Sequence, residues 1–367
     1  MAIALMFASC DKKDMLATHG SGTDVTLSAS TTSIVPSPGD SSNVATTFSW
    51  TSPNYDTDSA TYKYILEIDT SSNFTNPYQK IILGARDTAF SNKELNTVAL
   101  SFGFAFNIAY DMYARVISSY SNNNEQYISN TVKLNYTPYK VPPKIALPAS
   151  GKLFLVGDAS QGGWNNPVPT PTQEFAQIDE TTFGGVFNLV GGKQFLLLPV
   201  NGDWTNKYGN VCGSDGCNDA AGADFKEQGN NFKGPDADGW YTIIVNFQTG
   251  KFSVTPYTGT LATDLFMVGA ATPGGWNNPV PVPSQQFTRV NSSVFTLTLP
   301  ITGGQQFLFL PVNGDWSNKY GAICGSDGCN NAMGDNFMYG GNNFKGPETS
   351  GTYTFTVNFV TGRFTVE

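Results

Sequence analysis

The chain has 367 residues, enough for two to four domains with separate cores. Charged residues are only 13% and the net charge is −9. That argues against a nucleic-acid partner, because a phosphate backbone demands clustered cations. With 38 Gly, 21 Pro and 13% aromatic residues, turn-rich β structure is favoured over long helices, and no apolar spanning segment stands out.

The N-terminus begins with Met1-Ala2-Ile3-Ala4-Leu5-Met6-Phe7-Ala8-Ser9, followed by Cys10. A short apolar run with small residues before a cysteine resembles the end of a bacterial lipoprotein signal, in which that cysteine is lipidated. Residues 1–24 are therefore expected to be a signal remnant, a lipidation site at Cys10 and a flexible Ser/Thr/Gly tether.

Residues 25–139 differ in character. Thr47–Thr51, Tyr62–Ile68, Ala109–Val116 and Thr131–Tyr136 each alternate with period two and are separated by polar loops, which predicts half-buried strands. An early Trp50 and a late Tyr-rich strand fit an immunoglobulin-like or fibronectin-like sandwich acting as a spacer, with Trp50 in its core. Pro142, Pro143 and Pro148 mark residues 140–151 as a stiff connector.

The remainder is written twice. Positions 152–255 and 264–367 align without a gap at an offset of 112, and roughly 60 of the 104 pairs are identical. The expected domains are repeat 1 over 152–257 and repeat 2 over 263–367. Leu153–Gly157, Gln194–Leu198, Tyr241–Phe247 and Gly250–Val254 read as strands. The fold class predicted for the whole chain is all-β, the Ig-like domain followed by two tandem β-sandwich repeats.

Identity concentrates in loops. Gly162-Gly163-Trp164-Asn165-Asn166-Pro167 returns as 274–279, and Asn201-Gly202-Asp203-Trp204 with Asn206-Lys207-Tyr208-Gly209 returns as 313–321. Cores tolerate apolar swaps of similar volume, so a duplicated fold alone does not require its polar loops to be kept. Trp164 and Trp204, with copies Trp276 and Trp316, sit among Gly, Asn and Asp, a poor setting for core residues. An indole stacks on the C–H face of a pyranose, and Asn and Lys supply directional partners for its hydroxyls. Candidate ligand contacts are thus Trp164, Trp204, Asn206, Lys207, Asn231 and Lys233, with Trp276, Trp316, Asn318, Lys319, Asn343 and Lys345 as their copies. Trp240 has Thr352 at the equivalent place and is read as outside the shared site. Tyr208 and Tyr320 are as well suited to a core as to a contact.

Cys212 with Cys217, and Cys324 with Cys329, flank the same Gly-Ser-Asp-Gly and read as disulfides of an oxidising compartment. A zinc site would need two further ligands, and the one histidine, His19, is far off in sequence. That also removes histidine-based catalysis from the repeats. The one repeated carboxylate pair, Asp203 with Asp215, sits in Asn/Gly turns where Asp caps backbone. Neither catalysis, cofactor nor metal is expected. Two copies of one weak site instead suit avidity for a repeating ligand.

Cys10, the Ig-like domain and the tandem β-domains together resemble the SusE/SusF starch-binding outer-membrane lipoproteins of Bacteroidetes. The resemblance is carried by Val156-Gly157-Asp158-Ala159 leading to Gly163-Trp164-Asn165, and by Phe195-Leu196-Leu197-Leu198-Pro199 leading to Trp204, Lys207, Tyr208 and Gly209. Two binding domains after the spacer are closer to the SusE arrangement. The resemblance implies non-catalytic capture of starch or maltooligosaccharides at the cell surface, lipid-anchored in the outer membrane beside a SusC/SusD-like porin complex. It also implies aromatic platforms with Lys or Asn contacts at Trp164, Trp204, Lys207, Trp276, Trp316 and Lys319. The other reading is a surface protein that binds another glycan or a protein partner. Asp158 is Ala270 in the second copy, which leaves open whether the two copies bind equally.

Overall fold

In the computed structural model the described residues are 21–55, 57–258 and 261–367. The proposed lipidation site Cys10 and His19 lie outside them. The chain divides into two units, Met1–Pro142 and Pro143–Glu367, and the regular secondary structure of the described residues is nearly all β.

The first unit is a two-sheet sandwich. One sheet orders Leu27–Ala29, Val44–Trp50 and Asp87–Ser91; the other orders Ser33–Ile34, Val132–Tyr136, Tyr110–Ser119, Lys63–Asp69 and Tyr78–Leu83. Period-two alternation turns Phe48 and Trp50 of one sheet, and Tyr64, Leu66 and Ile68 of the other, into a shared core. Trp50 is 5% exposed, with its ring 5.2 Å from that of Tyr64, so its expected core role holds. One helix, Asn92–Ser101, was not anticipated. Ser91 caps the Glu94 N–H while the Glu94 carboxylate returns to the Ser91 N–H, a capping box that starts the helix.

The second unit holds both repeats. In repeat 1 the strands Phe154–Val156, Gln194–Leu198, Tyr208–Asn210, Gly222–Glu227, Lys251–Pro256, Gly239–Asn246 and Thr182–Leu189 form one continuous, curling antiparallel sheet. Leu153, Leu155, Phe195 and Leu197 point into the core with Phe225, Phe232, Phe247 and Phe252. Repeat 2 places Phe307, Phe309, Phe344, Phe355 and Phe364 likewise.

Within residues 140–151, read as a stiff connector, Lys144, Ile145 and Ala146 bond to repeat 1. The Lys144 and Ile145 N–H groups donate to the carbonyls of Gln248 and Phe247, and the Tyr208 hydroxyl donates to the Ala146 carbonyl at 3.1 Å. Extended backbone beside a strand end offers unpaired N–H groups, and this one uses them.

The two repeats pack directly on each other. The Val186 N–H donates to Ser293 Oγ at 2.7 Å, and the Ser292 N–H to the Glu174 carbonyl at 2.8 Å. Val186 joins the core cluster of repeat 2, and Trp240 and Tyr257 pack against that cluster. A Cβ on Gly184 would lie 2.7 Å from Val360 Cγ1. The strand-pair face of repeat 1 that meets repeat 2 thus carries Gly184, Val186, Trp240 and Ile244. At the matching positions repeat 2 carries Thr296, Thr298, Thr352 and Thr356, with Thr298 and Thr354 hydroxyls 2.8 Å apart at an exposed surface. This explains why Trp240 has no aromatic copy.

Candidate ligand-binding surface

Within the strand Gln194–Leu198, residues 195–198 are buried on both sides, which accounts for their unbroken apolar run. Its outward residues Leu196 and Leu198 form a small second cluster with Phe154, Val156 and Val168. The loop 157–171 folds over this outer face. It can leave the strand only because residue 157 is glycine: φ is +135°, and a Cβ there would stand 2.4 Å from the Gln194 carbonyl oxygen. Trp164, on this loop, packs against the outer cluster.

Three side chains hold the loop. The Gln173 amide donates to the Leu155 carbonyl at 2.6 Å and to Ser160 Oγ at 2.9 Å, while accepting from the Gly162 N–H at 2.7 Å. Asn201 accepts from the Val168 N–H at 2.7 Å and donates to the Val168 carbonyl at 3.1 Å. Asn166 accepts from the Gly202 N–H at 2.6 Å. Asn201 and Asn166 therefore tie the Trp164 loop to the Trp204 loop. Repeat 2 reproduces every one of these bonds through Gln285, Asn313 and Asn278.

The outcome is a matched pair of aromatic platforms. The rings of Trp164 and Trp204 lie 6.4 Å apart at 38°, and those of Trp276 and Trp316 lie 6.4 Å apart at 39°. Trp204, Trp276 and Trp316 are 44%, 40% and 46% exposed, and Trp164 is half-buried. Two tilted indoles, both exposed in repeat 2 and one of them half-buried in repeat 1, form a shallow, curved apolar face on a polar-rimmed surface. Sequence neighbours suggested two Trp loops; that the indoles meet is visible only in the fold.

The remaining candidates separate. Asn206 and half-buried Lys207 border a small hollow of about 200 Å³ with Tyr208, Glu227, Gln228 and residues 147–150. In repeat 2, Asn318 donates to Asp315 at 2.9 Å, accepts from the Tyr339 hydroxyl, and borders a larger hollow of about 740 Å³. Lys319 is half-buried, and its carbonyl accepts from the Gly340 N–H.

Asn231 and Lys233 are engaged by the protein itself. The Asn231 N–H donates to Asp215 and its amide to Gln194 Oε1 at 3.1 Å, while Lys233 pairs with Asp236 at 3.1 Å. Asn343 and Lys345 repeat this with Asp327, Gln306 and Glu348. No hydrogen bond or ring contact joins any of these four to an indole among the described residues. Gln194 shares the outward face of its strand with Leu196 and Leu198, so Asn231 borders the platform strand rather than facing the rings. The four residues fasten the Gly-Ser-Asp-Gly loops, which the disulfides Cys212–Cys217 and Cys324–Cys329 close.

The acidic residues behave as turn caps. Thr205 holds the Asp203 carboxyl below the usual carboxylate range through its hydroxyl and N–H, and the Ser317 N–H and Asn318 do the same for Asp315. Asp215 accepts the Asn231 N–H at 2.8 Å. Asp158 is exposed on its loop, so its change to Ala270 leaves the platform geometry intact. No cluster of metal-ligating side chains occurs among the described residues, and no helix there is long and apolar enough to cross a membrane.

Residues 11–117 match the family model described as SusE outer membrane protein. Among solved structures the chain is similar to SusF from Bacteroides thetaiotaomicron at 17% identity, over 94% of this chain and 76% of that one, with a TM-score of 0.34. None of the curated proteins matches the chain at a significant level. The matched residues lie in the first unit rather than in the repeats.

Proposed function

We propose that this is a non-catalytic glycan-binding protein of a Sus-like outer-membrane system, with starch or maltooligosaccharides as its ligand. The observation that carries this reading is the duplicated indole pair, reproduced to the same separation and to within 1° in tilt (38° against 39°). A pyranose can lie on such a face by its C–H groups, leaving its hydroxyls to Lys207 and Asn206 or to Lys319 and Asn318. Two like sites in one compact unit raise the apparent affinity for a polymer without any new contact. Anchoring through Cys10 and assembly with a SusC/SusD-like porin complex extend the same proposal. The SusE description of the family match supports the outer-membrane setting.

Affinity electrophoresis in gels containing starch, pullulan, dextran or levan tests the reading. Retardation by starch and pullulan is expected, with dextran and levan inert. Trp164→Ala combined with Trp276→Ala should abolish it. Wild-type mobility unchanged on every glycan would overturn the glycan reading. Retardation only by dextran or levan would correct the ligand while keeping the function.

A further inference from the structure

The junction between the repeats holds a groove of about 580 Å³, the size of small-molecule sites, lined by residues of both repeats. From it we infer a third sugar-binding site, distinct from both indole pairs and formed only where repeat 1 meets repeat 2. Its platform is Trp240, half-buried at the groove wall, whose indole N–H has no hydrogen-bond partner among the described residues. Asn188 lies directly across from Trp240 in strand register, so the two side chains stand together on one face. Asn188 is exposed and carries both an amide donor and an acceptor.

The rest of the rim is polar and comes from separate elements. Asp238 lines the groove and accepts the Gly191 N–H on one carboxylate oxygen at 2.7 Å. Arg289, from repeat 2, also lines the groove and is fixed through Nε and Nη2 by bonds to the Asn291 and Ser292 carbonyls at 3.2 and 2.6 Å, while Nη1 makes no hydrogen bond among the described residues. Gln161 and Thr172 reach in from the loop segment that carries Trp164. An aromatic face beside amides and one charge of each sign suits a neutral oligosaccharide, whose hydroxyls both donate and accept.

The matching positions of repeat 2 carry Pro300, Ser350 and Thr352, and the position matching Arg289 in repeat 1 is Gln177. The set is therefore present once. A structural role alone accounts for the edge of Trp240 that packs on repeat 2, but not for the convergence of Asn188, Asp238 and Arg289 around it.

The ligand class rests on the glycan reading, whereas the site itself does not, and one experiment separates the two. Replacing Trp164, Trp204, Trp276 and Trp316 by alanine leaves only Trp50, buried in the first unit, and Trp240 to emit. Titrating this protein with maltoheptaose, then with isomaltoheptaose and levan oligosaccharides, should give a saturable change in Trp240 emission. Adding Asn188→Ala and Gln161→Ala, both at exposed positions, should weaken that response by about fivefold or more. Constant emission with every oligosaccharide overturns the third site, and the wild-type protein's behaviour then decides the indole pairs separately. A response that survives Asn188→Ala and Gln161→Ala unchanged also overturns it. Circular dichroism should report an intact fold in each of these variants.

Discussion

Asn201 offers the sharpest test of how the platform is built. Asn201→Ala removes both bonds to Val168, at 2.7 and 3.1 Å. Val168 is 4% exposed, so water cannot readily replace them, and its peptide N–H and C=O are left without partners. Two lost bonds with desolvated remainders come to about 2–4 kcal/mol. That cost falls on the docked state of the loop carrying Trp164, and each 1.4 kcal/mol is about tenfold in an equilibrium. Calorimetry with maltoheptaose, on protein whose second platform is silenced by Trp276→Ala and Trp316→Ala, should show affinity falling about tenfold or more. Asn201→Asp keeps the acceptor for the Val168 N–H and loses the donor, so it should fall in between. If both variants bind as tightly as their parent, the loop tie does not position Trp164 and the reasoning fails.

Other expectations follow from the same geometry. Gly157→Ala would put a methyl 2.4 Å from the Gln194 carbonyl at a φ of +135°; the denaturant midpoint should drop by an amount equivalent to at least ~2 kcal/mol, and an unchanged midpoint would refute the strain. Burial pushes Tyr208 and Tyr320 up to about 12 from 10.0. A raised folded value means that their contribution is complete below pH 10 and is lost as pH climbs toward 12, on the order of 2–3 kcal/mol each. Tyrosinate absorbance should therefore contain late-titrating components that Tyr208→Phe and Tyr320→Phe delete; two ordinary titrations near 10 would contradict this. Opening one disulfide by Cys212→Ser and Cys217→Ser should cost only about 2 kcal/mol, since the closed loop is short. Calorimetry should find the affinity of the Trp164–Trp204 platform unaltered, and a large loss there would mean the loop supports the site.

The strands were legible because one face of each alternates. Gln194–Leu198 was legible as a strand too, but its second buried face has no local signal, since the loop that covers it starts at Gly157. Trp164 and Trp204 were legible as surface residues from their Gly/Asn/Asp surroundings. Their meeting depends on Gln173 and Asn201, which sequence reasoning passed over. A signal was present: between 172 and 181 the two copies agree only at Gln173 and Phe175, and a glutamine kept where its neighbours drift has a bonding role. The helix Asn92–Ser101 likewise advertised itself through Ser91 and Glu94. Asn231 and Lys233 drew attention as repeated polar residues, yet repetition marks loop anchors as readily as contacts, and only partners at 3.1 Å distinguish them.

The contact between the repeats joins unlike surfaces, the Val186–Trp240 face of one copy and the Ser292–Ser293 edge of the next. Such a head-to-tail contact does not close on itself, and a chain whose every copy kept both surfaces could add further copies without limit. Thr296, Thr298, Thr352 and Thr356 in place of Gly184, Val186, Trp240 and Ile244 give the second copy a hydroxylated face that offers no apolar seat for a third. These four differences thus act as a stop signal: the second copy lacks the apolar seat that the first one offers.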